Sequence, residues 1–357
     1  MKKTLLTFLL TCLLILPACG KVSGRHSYVI GFYNLENLFD TYDDPAKNDQ
    51  EFLPDGKNEW TEAKYAKKLR NMAKVIRAMR DDNGKWHTIL GISEIENRLV
   101  IEDLVAEPAI AEANYQIVHY DGPDRRGVDV ALLYKPEEFT LLESQSIPFS
   151  FEGTQVAITL SKEEQDYFRT RDILMVRGTI DGEMFAFYVT HLPSRIGGKG
   201  SDLRSLGAEI IYNDAMQKMK DYPGIKIAVM GDMNDDPFNE SMEVWLHGRE
   251  NLEDVGEQDF YNPFYRMLND GYGTLCYQGV WSIFDQILVN YNLAKAPEGT
   301  LQMRRIVKDT YHGRVFKKPF MTTQKGQYKD YPFRTFSGGA FINGFSDHYP
   351  TYIVISK

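Results

Sequence analysis

The chain sets short apolar runs against two long stretches of helical periodicity. Residues 28–34, 88–93, 115–120, 128–134, 140–144, 173–180, 184–190, 225–230, 284–289 and 352–355 are short apolar runs, several bounded by turn-forming residues, which predicts strands. Asp181-Gly182 between two of them is a hairpin turn. Over 62–80, Tyr65, Leu69, Met72, Ile76 and Met79 recur at helical spacing, with Lys and Arg on the other faces and Thr61 placed as N-cap. Residues 203–219 form a second amphipathic helix through Leu206, Ile210 and Met216. Between strands and helices, 40–60 is polar and carries Asp43-Asp44-Pro45 and Pro54-Asp55-Gly56, so it reads as a loop. Strand hairpins with a few long helices, without strict strand–helix alternation, predict an α/β (α+β) layered sandwich over a doubly wound sheet. No repeat or linker divides the chain, so 28–357 is expected to be a single domain.

The first 27 residues depart from this pattern. Lys2-Lys3 precede a short apolar stretch, 5–16, that is too short to span a bilayer comfortably. It ends in Leu16-Pro17-Ala18-Cys19, which resembles a bacterial lipobox. Residues 1–18 are therefore expected to be a signal peptide, Cys19 a lipidated anchor and 19–27 a tether, giving an exported cell-envelope lipoprotein. Gly20, with no adjacent Asp, fits outer-membrane sorting if the source is Gram-negative. Cys12 would leave with the signal and Cys276 would remain alone, so no intramolecular disulfide is expected and stability must come from the core. An apolar content of 43% suffices for that core. A net charge of −9 excludes a protein that coats nucleic acid by general basicity. A polyanionic partner would need a local basic patch and a bound cation. No obligate protein partner is evident.

Chemistry collects where the strands end. Asn34 closes the first strand, Glu94 follows Ile89-Leu90-Gly91-Ile92-Ser93, and His191 follows Phe187-Tyr188-Val189-Thr190. Gly231-Asp232-Met233-Asn234 follows the 225–230 strand, and Ser346-Asp347-His348 precedes the last one. Asp285 differs, sitting among apolar residues in Ser282-Ile283-Phe284-Asp285-Gln286-Ile287-Leu288. A charge there is costly unless paired, and the economical partner is a His that it would orient and keep cationic. Singly, each residue has a plain role as turn, cap or hydrogen-bonded structural group. Jointly they supply metal ligands, a water-orienting group and a neutralising His, as metal-assisted phosphoester hydrolysis requires.

These stretches, together with Phe32-Tyr33-Asn34-Leu35-Glu36-Asn37, Arg126-Gly127-Val128-Asp129-Val130-Ala131 and Thr190-His191-Leu192-Pro193-Ser194-Arg195, resemble the endonuclease/exonuclease/phosphatase superfamily, whose members include deoxyribonuclease I. The likeness runs from residue 28 to the C-terminus. It implies a four-layered sandwich, two facing mixed β-sheets flanked by helices. It also implies roles. Glu94 would bind Mg²⁺ or Mn²⁺, with Asn34 supporting the metal and Asp347 touching it or its water. Asp232 would position or deprotonate the attacking water, helped by Asn234. His348, held by Asp285, would donate to phosphoryl oxygens, and His191 would bind another. Arg126, Arg171 and Arg195 are candidate phosphate contacts. Glu96 and Asn97 match only the closer relatives.

The same superfamily holds sphingomyelinases and inositol-phosphate phosphatases, so the fold alone does not choose the substrate. Residues 301–340 carry Arg304, Arg305, Lys308, Arg314, Lys317, Lys318, Lys325, Lys329 and Arg334 with interleaved Tyr and Phe. That mix can neutralise phosphates and stack on bases, and it lies between Asp285 and His348, so it is expected to overhang the cleft. It favours a nucleic-acid phosphodiesterase. The alternatives are a phospholipid or sphingomyelin phosphodiesterase, an inositol-phosphate phosphatase or a non-catalytic surface-binding lipoprotein.

Overall fold

In the computed structural model, residues 26–195, 200–306 and 310–357 are described. The expected signal peptide, Cys19 and Lys308 lie outside them.

Every expected strand forms. The first sheet is built from β1 (Ser27–Leu38), β2 (Ile89–Ile95), β3 (Gln116–His119) and β4 (Asp129–Tyr134), all from the first half of the chain. The second sheet holds β5 (Phe139–Ile147), β6 (Ile173–Ile180), β7 (Glu183–His191), β8 (Lys226–Asp232), the two-residue β9 (Gly248–Arg249) and β10 (Phe260–Tyr261), and β13 (Asp285–Asn290), in the order β5-β6-β7-β8-β13-β10-β9. Between β10 and β13 a small hairpin forms from β11 (Leu275–Tyr277) and β12 (Val280–Ser282). The chain then returns to the first sheet through β14 (Gln302–Met303) and β15 (Gly313–Val315), makes a second small hairpin from β16 (Phe336–Ser337) and β17 (Ala340–Phe341), and ends in β18 (Thr351–Ser356). The order of the first sheet is β14-β18-β1-β2-β4-β3, with β15 also on β18, so the last strand pairs with the first. Both sheets are mixed, because β1–β2 and β7–β8 are parallel and their other neighbours mostly antiparallel.

Alternation sorts the apolar residues into layers. Along β7, Phe185, Phe187 and Val189 point between the sheets, and Ala186 and Tyr188 point outward beneath helix α4 (Ser201–Asp221) with its Ala208, Ile211 and Ala215. Helix α1 (Glu62–Asn83), ended by Gly84 in the left-handed region, packs its Leu69, Met72 and Ile76 against the first sheet, next to α2 (Arg98–Ala106). The result is the four-layered sandwich expected. The two sheets approach closely at Gly91, where a Cβ would lie 2.7 Å from Met230 Sδ across the interface. A short helix α3 (Lys162–Tyr167) with a Ser161 capping box lies outside the layers. Among the described residues no helix is long and apolar enough to cross a membrane.

Two expectations about α1 change. Thr61 stands at the N-cap with extended backbone but makes no side-chain cap hydrogen bond. Lys68, on a face read as polar, is fully buried: its Nζ donates to Thr335 Oγ1 and the Phe345 carbonyl, each at 2.6 Å, and lies 3.8 Å from Glu36.

Candidate active site

Strand register assembles the site. The parallel β7–β8 pair sets His191 beside Asp232, and the antiparallel β8–β13 pair sets Asp285 on the other side of Asp232. One row across the second sheet therefore reads His191, Asp232, Asp285. From the facing sheet, β1 brings Asn34 and β2 brings Glu94, with a bulge in their pairing just past Asn34. Glu94 (φ 58°), Asn234 (φ 49°), Glu36 (φ 49°) and Asn37 (φ 53°) all have left-handed backbone. For non-glycine residues this costs on the order of 1 kcal/mol or more each, and such strain persists only where surrounding contacts hold it.

Those contacts are visible. Asn34 Oδ1 accepts the Glu36 N–H at 2.8 Å, which fixes the amide so that Nδ2 donates to Glu94 Oε1 at 3.2 Å and Asp232 Oδ2 at 3.0 Å. The Asn37 N–H donates to Glu94 Oε2 at 2.9 Å, and the Asn234 N–H to Asp232 Oδ1 at 3.0 Å. Ser346 Oγ donates to the Asn34 carbonyl and accepts the His348 N–H, tying the C-terminal motif to β1. His348 Nδ1 lies 2.7 Å from Asp285 Oδ2, and its Nε2 lies 3.8 Å from Asp232 Oδ2. From the opposite side, His191 Nε2 stands 3.6 Å from Asp232 Oδ2 and 3.8 Å from Glu94 Oε1.

The two imidazoles differ in charge. Burial drives the His191 pKa well down, and Arg171, Arg126 and His348 reinforce it, so His191 is neutral. Burial also opposes the His348 cation, but Asp285, Asp232 and Asp347 outweigh it and raise that pKa well above the ordinary value. The Asp232 carboxyl is pushed up to about 7, chiefly by burial, with Asp285 and Glu94 adding to the rise and His348 resisting it.

A divalent cation fits here. Ligand atoms of Glu94, His191 and Asp232 all lie within 4.8 Å of one another, and His191 Nδ1 is buried without a partner. The two carboxylates supply hard oxygen ligands of the kind Mg²⁺ or Mn²⁺ takes. Asn34, expected to support the metal, holds both carboxylates through its amide nitrogen. Asp347, also expected there, turns to Arg334, with Oδ2 3.0 Å from Nη2, and is not among the converging ligands.

The three candidate phosphate arginines separate. Arg171 is buried, with all its nitrogens engaged: Nε on the His191 carbonyl, Nη2 on the Leu192 carbonyl and Nη1 on Asp124. It braces the end of β7 and is buried away from solvent. Arg195 holds the Asn234 carbonyl and Asp235 while stacking on Phe284. Arg126 is half exposed and only 3.8 Å from Asp124, so it is the freest of the three. Much of the basic 301–340 segment does not overhang the cleft: Arg304 bonds Ser356, and Arg314 and Lys318 pair with Asp82. Arg334 is the member that reaches the site, pairing with Glu36 as well as Asp347. Sequence reasoning passed over Glu36 and Lys68, although Glu36 lies inside the Asn34 motif.

The sequence profile described as the Endonuclease/Exonuclease/phosphatase family matches residues 29–357. The chain belongs to that family. Its enzymes are divalent-metal-dependent phosphoester hydrolases, which the carboxylate–imidazole cluster fits. A search of curated proteins finds no match by sequence. Among solved structures the chain is similar to an endonuclease/exonuclease/phosphatase family protein from Bacteroides thetaiotaomicron (15% identity, TM-score 0.54, 93% of this chain and 95% of that one). It is also similar to a mannosyl-6-phosphatase from the same organism (15%, 0.53, 92% and 99%) and to a humanized TDP2 from D. rerio (14%, 0.52, 93% and 99%). At such identities the likeness is one of fold.

Proposed function

We propose that this protein is a divalent-metal-dependent phosphodiesterase that cleaves nucleic-acid phosphodiester bonds by in-line attack of water. The observation that carries the hydrolytic reading is the pair of imidazoles, one neutral and one cationic, that flank the buried carboxylate of Asp232. Asp232, its Oδ1 fixed by the Asn234 N–H and its Oδ2 by Asn34, orients the water and accepts its proton. His348, kept cationic by Asp285, donates from Nε2 to a phosphoryl oxygen as charge develops. Neutral His191 offers a second contact, and Arg126, half exposed and only loosely paired with Asp124, is available to the flanking phosphate. Glu94, with Asp232 in reach, would hold the cation, which when bound polarises the phosphoryl oxygen. Nucleic acid as substrate is supported by the half-exposed Arg126 and Arg334 on an otherwise acidic molecule, and by a D. rerio TDP2 neighbour solved with a single-strand DNA product.

The test is hydrolysis by residues 20–357 of plasmid DNA, RNA, sphingomyelin, inositol phosphates and mannose 6-phosphate, with Mg²⁺, Mn²⁺ or EDTA. Metal-dependent cleavage of DNA or RNA, lost in Asp232→Ala and His348→Ala, supports the reading. Activity confined to lipid or sugar phosphate overturns it. We also infer anchoring through Cys19. Retention of Cys19→Ser protein in the membrane fraction would overturn that.

A further inference from the structure

Beside the catalytic groups lies a cavity of about 720 Å³. Arg334 and Asp347 line it together with Tyr277, Tyr328, Tyr331 and Phe336. Asp347 Oδ1 is 3.9 Å from His348 Nε2, so a single side chain separates the cavity from the imidazole that faces the phosphoryl group. Its volume falls within the roughly 300–1,000 Å³ of sites that enclose a small ligand.

The wall is rigid where it meets the site. Glu36 Oε1 accepts from Arg334 Nε at 3.0 Å and Oε2 from the Thr335 N–H at 2.7 Å, while Lys68 pins Thr335 from behind. Farther out, Tyr277 is 70% exposed and Tyr328 49%, large rings that the core does not use. Tyr328 begins a line of rings, with centroids 5.7 Å to Tyr331, 6.1 Å on to Trp281 and 6.2 Å on to Tyr349, the buried neighbour of His348. Lys317 Nζ caps Trp281 at 4.8 Å. Aromatic faces backed by cations and held at a fixed distance from a phosphoryl-binding His form a stacking platform.

We propose that this cavity receives one unpaired nucleobase, that of a nucleotide adjoining the scissile phosphate, stacked on Tyr328 and Tyr277 with Arg334 against the intervening phosphate. The proposal rests on the nucleic-acid reading and narrows it: a base can enter a walled cavity only when it is unpaired and unstacked, so the substrate is a single strand or a frayed end rather than a paired duplex.

The experiment compares kcat/KM for a single-stranded oligodeoxynucleotide and for a base-free oligomer of the same length and backbone, using residues 20–357 with Mg²⁺. A stacked base contributes about 1–3 kcal/mol, so the wild type is expected to prefer the base-bearing strand by about 5- to 150-fold. Tyr328→Ala and Tyr277→Ala, at exposed positions, should bring that ratio towards one, with an unchanged thermal midpoint as the folding control. A single abasic position next to the cleaved bond should reproduce the loss in wild type and add little in Tyr328→Ala. A wild-type ratio near one, or a high ratio untouched by either substitution, overturns the pocket and leaves the nuclease standing. Cleavage of neither oligomer by an enzyme active on other phosphoesters overturns both.

Discussion

Replacing Asp285 with Asn keeps the shape of a buried acceptor and removes its charge. Asp285 is fully buried, with Oδ2 2.7 Å from His348 Nδ1, and it is the foremost of the groups holding His348 cationic against burial. A charge-assisted hydrogen bond of this kind contributes about 1.5–3 kcal/mol. At about 1.4 kcal/mol per unit, its loss lowers the His348 pKa by roughly 1–2 units. Where the cation stabilises the transition state, the same free energy slows turnover by about 10- to 100-fold. The sign follows from the direction of the shift. Activity that needs protonated His348 survives through neutral pH in the wild type and is lost as pH rises through the raised pKa. In Asp285→Asn that descending limb moves to lower pH. The assay is kcat/KM against pH at fixed Mg²⁺, paired with an NMR titration of the imidazole. A wild-type rate with an unshifted limb refutes the cationic role, and an equal loss at every pH reduces Asp285 to a geometric support.

Further outcomes follow from other parts of the structure. EDTA is expected to abolish hydrolysis, and Glu94→Gln to weaken Mg²⁺ binding in calorimetry by about tenfold or more, since it removes one of few anionic ligands. Lys68→Met removes one of the two cations beside buried Glu36, the other being Arg334, so the thermal midpoint should fall by roughly 4 °C for the loss of about 3 kcal/mol. The double variant with Glu36→Gln should recover part of it, and full additivity would argue against coupling. Glu96 is raised to about 8, first by burial, then by Asp40, Asp49 and Asp44 against the bond from the Asp40 N–H. Its folded pKa exceeds the unfolded value, so its contribution is complete below about pH 4.5 and is lost as pH rises through about 8. Glu96→Gln should remove that slope from the thermal midpoint measured across pH, and an unchanged slope counts against the assignment.

Long, strongly patterned segments were readable from sequence for a physical reason. Burial on both faces makes β2 and β8 continuous apolar runs, and one buried stripe makes α1 periodic. The row His191, Asp232, Asp285 was accessible because each lies at or beside the end of such a run. Local pattern failed where side chains replace regular pairing. Strand β1 was expected to stop at Asn34 but continues to Leu38, because Asn34 Oδ1 and Glu94 Oε2 capture the Glu36 and Asn37 N–H groups across a bulge. Helix α2 went unread because its start depends on Asn97 capping the Val100 N–H, a residue whose place in the motif suggested the site instead. Composition could not say which way Lys68, Arg314 or Lys318 points, since their partners, Glu36 and Asp82, are distant in sequence.

The pairing of β18 with β1 has a consequence in time. The first sheet is closed by a strand far downstream of β1 in the sequence, and His348 arrives only just ahead of it. A nascent chain can carry Asn34, Glu94, His191, Asp232 and Asp285 and still lack the cation that completes the site. The constellation is therefore complete only once β18 has paired with β1.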